Sequence, residues 1–221
     1  MPSDPSNSPR SPQSSRPNRP PRRPALFGPA AMDAAVGGCD PALRAEAAHL
    51  TADALLQHGR ATRDPDETRR LVALADVHGL DEVALLWADR PADTLPGTLW
   101  RIYALRAGVR QDPAGMARAY QTGRVRAQVH EVVAGAADPP GPEQLCDLAD
   151  AILTGVFSGD LGVALERAAA FCRVLATGTA LLADLEVDPV AHRCTRRAAD
   201  LTGTAGQLEH AARLWRLDAL H

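Results

Sequence analysis

Along most of this chain the apolar positions recur every three or four residues, with polar positions between them. Side chains at that spacing stand on one face of an α-helix. Leu43, Ala47, Leu50 and Ala54 mark a first apolar face. Leu71, Leu74 and Ala75 lead to Gly79, and Leu80, Val83 and Trp87 continue on a short second helix. Leu95, Leu99, Ile102, Arg106 and Val109 share a face behind Thr94, whose hydroxyl suits an N-cap. Met116, Tyr120, Ala127 and Val132 predict a helix interrupted or kinked around Gly123. Leu145, Leu148, Ala149 and Ile152 predict another, and Leu161, Leu165, Ala168 and Cys172 the next. Two C-terminal helices are expected between Pro189 and Leu220. Val132-Val133 and Val174-Leu175 are too short and too helically flanked to be strands.

The punctuation agrees with this spacing. Asp40-Pro41, Asp64-Pro65, Asp112-Pro113 and Asp188-Pro189 each put a capping carboxylate before a proline suited to the first helical position. Glu67 follows Asp64 at the distance of a capping box. Gly59, Gly79 and Gly135 stand where left-handed C-terminal caps belong. The expected fold is all-α, a compact multi-helix bundle or paired-helix array of about eight or nine helices. Composition supports this: 45% of residues are apolar but only 4% aromatic, so Leu, Val and Ala must build the core. Leucine and alanine tolerate the helical turn well.

The pattern stops at the N-terminal end. Residues 1–29 hold nine of the 18 prolines, five arginines and a single acid, Asp4. Such a segment buries too little apolar area to offset its ordering entropy, so residues 1–31 are expected to be a disordered tail and 32–221 the helical domain. The tail carries +4, and the remainder, with 19 arginines against 26 acids, carries −7. Met32 follows the tail at once and is an alternative translation start to Met1.

All 24 basic residues are arginine. That removes a Walker-A lysine, a Schiff-base lysine and a lysine base from consideration. The seven histidines are scattered singly, and no G-x-S-x-G, H-E-x-x-H or strand-associated G-x-G-x-x-G occurs. No catalytic residue, cofactor or metal is therefore expected. Cys39, Cys146, Cys172 and Cys194 lie far apart, as buried thiols of a reducing compartment do. Cys146, Cys172, His192 and Cys194 lack the close pairing of a structural zinc site. No apolar run is long enough to span a bilayer. The stretch after Arg22-Arg23 contains Pro29 and Asp33 and makes a poor signal, so a cytoplasmic location is expected.

Certain groups merit placement in the structure. Arg70 to Trp87 has helix-turn-helix spacing at Ala75, Gly79 and Leu85, but its second helix, from Asp81 to Trp87, is acidic and apolar and would repel DNA. Arg193, Arg196 and Arg197 share one helical face and are candidates for binding an anion. Trp100, Arg101, Tyr103 and Arg106 concentrate the residue types enriched in binding hot spots and are candidates for an interaction surface, with core packing as the competing role. Gly159-Asp160-Leu161 with Ala164 and Phe171 has the form of half a tetratricopeptide unit, without a second copy.

Leu95-Pro96-Gly97-Thr98-Leu99-Trp100-Arg101, together with Gly159-Asp160-Leu161 leading to Ala164-Leu165-Glu166-Arg167, resembles an uncharacterised all-helical family of high-GC bacteria. The resemblance spans residues 74–177, about half the chain, and implies no activity. The function expected is a non-enzymatic interaction or adaptor domain whose partner is another protein. The alternative is a nucleic-acid-associated regulator using the basic tail and the Arg193–Arg197 face.

Overall fold

The computed structural model describes residues 40–62, 64–78, 80–135 and 140–221, and all regular structure among them is helical. The expected tail and its boundary at residue 31 lie outside the described residues, as does Gly79. The helices are α1 (Pro41–Ala61), α2 (Pro65–Val72), α3 (Leu74–His78), α4 (Leu80–Trp87), α5 (Leu95–Gln111), α6 (Pro113–Arg124), α7 (Gln128–Ala134), α8 (Pro142–Ser158), α9 (Leu161–Ala183) and α10 (Val190–Arg216). Only Ala73 separates α2 from α3, so the two also count as one broken helix, which gives nine.

Capping explains most of the starts. Asp40, Asp64 and Asp112 accept from the backbone N–H of Ala42, Asp66 and Gly115, each at 2.9 Å, with proline at the first helical position. Thr94 Oγ1 accepts from Gly97 at 3.3 Å, and Asp160 Oδ1 from Val163 at 3.1 Å. Two expectations are corrected. Asp188 does not cap α10; its carboxylate lies 2.5 Å from His192 Nδ1, one turn on, and α10 starts without a side-chain cap. Glu67 does not reach back to Asp64 but pairs with His58 Nε2 at 3.1 Å.

The centre of the bundle is α9, whose Leu161, Leu165, Ala168, Cys172 and Leu175 are buried. It packs against α10, α6, α7 and α8. The α9–α10 pair is antiparallel: Arg173 forks onto Glu209 at 2.6 and 2.8 Å, and Arg216 reaches Glu166 at 2.6 Å. The two arginines come from opposite helices and hold the same register. Instead of two C-terminal helices there is one, because Gly203 and Gly206 stand in open space and nothing forces a break there. Leu220 folds inward, and the His221 carbonyl accepts from Leu95 N–H at 2.8 Å, so the chain end returns to the start of α5.

Helix existence was legible, but facing was less so. The predicted faces of α5, α8 and α9 are buried as expected, and so are Met116, Tyr120 and Ala127. Val132, read onto the same face as these, is exposed, because the chain breaks after Arg124 and α7 starts afresh at Gln128. The interruption expected around Gly123 is there: α6 ends one residue after it, at Arg124. The Leu43–Ala47–Leu50–Ala54 face of α1 points to solvent, with Leu50 63% exposed. Ala48, Ala52, Leu56 and Gly59, on the opposite side of the helix, are the buried residues. Two small residues on that face let α1 approach closely, and Gly59 does not cap but meets Phe157: a Cβ there would stand 2.8 Å from its ring. Gly135, by contrast, has φ 76° and ends α7 in the left-handed conformation expected of a cap.

Candidate functional site

The four hot-spot residues of α5 do not form one surface. Tyr103 is fully buried, and its hydroxyl donates to the Leu71 carbonyl at 2.6 Å, tying α5 to α2. Burial pushes its ionisation well above the usual tyrosine value. Arg106 is 3% exposed. Its Nη1 and Nη2 fork onto both oxygens of Asp76 at 2.8 and 2.7 Å, and its Nε donates to Asp150 at 2.6 Å. Arg110 completes the group at 2.5 Å from Asp150. Burial alone would lower the Arg106 pKa, but the two carboxylates outweigh it and raise it. The group therefore joins α3, α5 and α8 as an internal clamp. Trp100 packs partly against the core. Arg101, half-buried, donates to Gln207 and to the Gly97 carbonyl, both at 2.6 Å. An interaction surface built on Tyr103 and Arg106 is ruled out by their burial, and Trp100 and Arg101 keep only part of their surface.

Arg193 and Arg196 lie exposed on α10. Arg197, also exposed, reaches across to Met116 Sδ at 3.4 Å. The anion-binding candidates therefore stand on an outer helix face with no enclosing wall described around them. In the helix-turn-helix candidate Leu85, which would have to be core, is 78% exposed. Among the described residues no cluster of histidine, cysteine and carboxylate side chains comes together as a metal site. Cys172 is fully buried and its thiol is pushed up to about 12 by burial. None of the described helices is long and apolar enough to cross a membrane.

Two features stand out that the sequence did not single out as sites. The first is the open face of α1. Trp87, buried at the end of α4, donates through Nε1 to Thr51 Oγ1 at 3.2 Å. Leu50 and Leu86, next to the two bonded residues, are both exposed, as are Leu43 and Leu85 on the same two helices. Single exposed leucines are ordinary, whereas several on two adjoining helices mark a contact surface. The exposed ionisable residues of Asp40–Ala54 and of α4 are Asp40, Glu46, Asp53 and Glu82 against one cation, Arg44, so the surroundings are acidic.

The second is a cleft of about 880 Å³ where the ends of α1, α2, α8 and α10 converge. Arg60, Pro65, Thr68, Thr154, Phe157 and Trp215 line it. The Arg60 guanidinium carbon lies 4.7 Å from the centre of the Trp215 ring. Burial lowers the Arg60 pKa, partly offset by the field of Asp160. Thr68 and Thr154 spend their hydroxyl protons on the carbonyls of Asp64 and Asp150, at 3.3 and 2.7 Å. Their lone pairs stay available. Neither feature carries a sequence signature, because each is assembled from several helices.

No protein-family model, no curated protein and no solved structure matches this chain.

Proposed function

We infer that this protein is a helical adaptor that binds another protein through the open face of α1 and α4. The occupant is an amphipathic helix whose apolar stripe lies along Leu43, Leu50, Leu85 and Leu86 and whose margins are basic. One observation carries the reading: two leucines are exposed on each of two helices that a hydrogen bond ties together. Burying such a stripe in a partner groove is the usual mode of helix recognition. The charge argument selects the partner's chemistry. A basic helix is attracted by Asp40, Glu46, Asp53 and Glu82, whereas a second copy of this chain would bring the same acids against them. The buried arginine clamp has the role of a fixed internal support and supplies no reacting group.

The test uses the full chain. A labelled synthetic helix with a leucine stripe and arginine margins is titrated against wild type and a Leu50→Glu/Leu85→Glu variant. Retention of lysate proteins on the two is compared in parallel. Expected are saturable binding and specific retention by wild type, both lost in a variant that keeps its helical spectrum. Equal binding by the two chains overturns the reading. Retention of duplex DNA by wild type that falls steeply with salt and ignores the leucine substitutions would instead favour the nucleic-acid role.

A further inference from the structure

We propose that the cleft between the ends of α1, α2, α8 and α10 binds a small monocarboxylate with a flat or acyl apolar body, its carboxylate on Arg60 and its body against Trp215 and Pro65. The site is separate from the α1–α4 face and does not depend on the adaptor reading.

The cation comes first. Among the described residues, Arg106, Arg110, Arg173 and Arg216 each hold a carboxylate at hydrogen-bond distance, and the half-buried Arg101 and Arg167 donate to Gln207 and to main-chain carbonyls. Arg60 holds none; its guanidinium is stacked on an indole, which attracts the charge but accepts no N–H in the guanidinium plane. The stacking therefore does not take up the N–H fork that matches a carboxylate. Asp160 is near enough to influence Arg60, yet one of its oxygens is engaged at the start of α9 by Val163 N–H.

The walls come next. Pro65 and the Trp215 ring provide apolar surface over the buried Phe157, and Thr68 and Thr154 provide acceptors rather than donors. Arg69 also lines the cleft but is paired with Asp66, and the Asp160 carboxylate beside Arg60 favours a single negative charge over a dianion. The volume lies within the range of small-molecule sites, about 300–1,000 Å³. Gly59 is what opens the cleft's floor to this shape. It brings α1 down onto Phe157, so that Arg60, the next residue, leaves the helix at the cleft's edge.

The experiment titrates the full chain with 3-phenylpropionate and with 3-phenylpropanol, which has a closely similar body without the charge. Binding is followed by calorimetry and by the indole N–H signals of Trp87, Trp100 and Trp215. Expected is saturable binding of the acid at millimolar concentration or below, with movement of the Trp215 signal alone, and at least tenfold weaker binding of the alcohol. Arg60→Met, which keeps the apolar stem, is expected to weaken the acid at least tenfold and leave the alcohol unchanged. If that variant fails to fold, the acid–alcohol comparison on wild type still decides. Absence of saturable binding, equal binding of acid and alcohol, or a shift confined to Trp87 or Trp100 overturns the proposal.

Discussion

Gly178 of α9 and Gly123 of α6 lie backbone against backbone. A Cβ on Gly178 would stand 2.8 Å from the Gly123 nitrogen and 1.7 Å from the Ala119 carbonyl oxygen; one on Gly123 would stand 2.7 Å from the Gly178 nitrogen. The two helices cross where neither has a side chain, and Tyr120 and Phe171 pack nearby with ring centres 5.4 Å apart. The obstacle to a larger residue is main chain, which cannot rotate away as a side chain can.

Gly178→Ala is therefore expected to destabilise the protein by about 3 kcal/mol, the upper part of the overpacking range. Thermal unfolding should show a loss of roughly 6–12 °C for a chain of this size. Gly203→Ala on α10 is the control. Nothing lies within 4 Å of a Cβ there, so the better helix former should stabilise by roughly 0.5–1 kcal/mol. A stabilising Gly178→Ala would show that the helices do not cross as described.

Facing of α1 is tested by two leucines one and a half turns apart. Leu56 is 5% exposed and Leu50 faces solvent. Leu56→Ala should cost about 2–4 kcal/mol in chemical denaturation, and Leu50→Ala less than about 0.5 kcal/mol. The reverse order would restore the face read from periodicity.

Acid should loosen the arginine clamp. Donation from Arg106 holds the Asp76 carboxyl below its ordinary value, against burial, which raises it. Glu209 and Glu166 are lowered in the same way by Arg173 and Arg216. A carboxyl whose folded pKa is depressed contributes stability above its unfolded pKa and loses it as pH falls through the folded one. Stability should therefore hold near neutrality and fall as pH drops from about 5 to below the ordinary carboxylate range near 4. Asp76→Asn should flatten that fall, measured as denaturant midpoint against pH. At neutral pH, Arg106→Met should cost about 2 kcal/mol, since it removes charged hydrogen bonds to Asp76 and Asp150, which both keep some exposure to water.

Thiol chemistry gives an independent check on the core. Cys172 is buried with its thiol raised to about 12, whereas Cys146 and Cys194 are half-buried. Alkylation at mildly basic pH followed by peptide mass mapping should leave Cys172 unmodified in the native protein and label it once denaturant is added. Native labelling of Cys172 at the rate of Cys194 would contradict a packed α9.

By itself the chain determined its secondary structure. Asp-Pro starts, turn-spaced leucine and alanine, and Gly135 at a left-handed position act within a few residues of one another, so local chemistry suffices to specify them. Leu95 to Val109 and Leu161 to Cys172 were also assigned buried faces, and α9, apolar on nearly every side, is buried well beyond the face read from its spacing. On α1 both sides carry alanine and leucine, so periodicity there marks a helix without saying which side packs. Tertiary structure chose Ala48, Ala52 and Gly59, and the missing side chain of Gly59 admits Phe157 of α8. Arg106 illustrates the same limit: its place on an apolar face was legible, but its partners Asp76 and Asp150 are 30 and 44 residues away in sequence. The cleft at Arg60 and Trp215 is more distant still in sequence and exists only where four helix ends meet. Contacts of that kind depend on how helices cross, and crossing depends on the sizes of side chains on both partners at once.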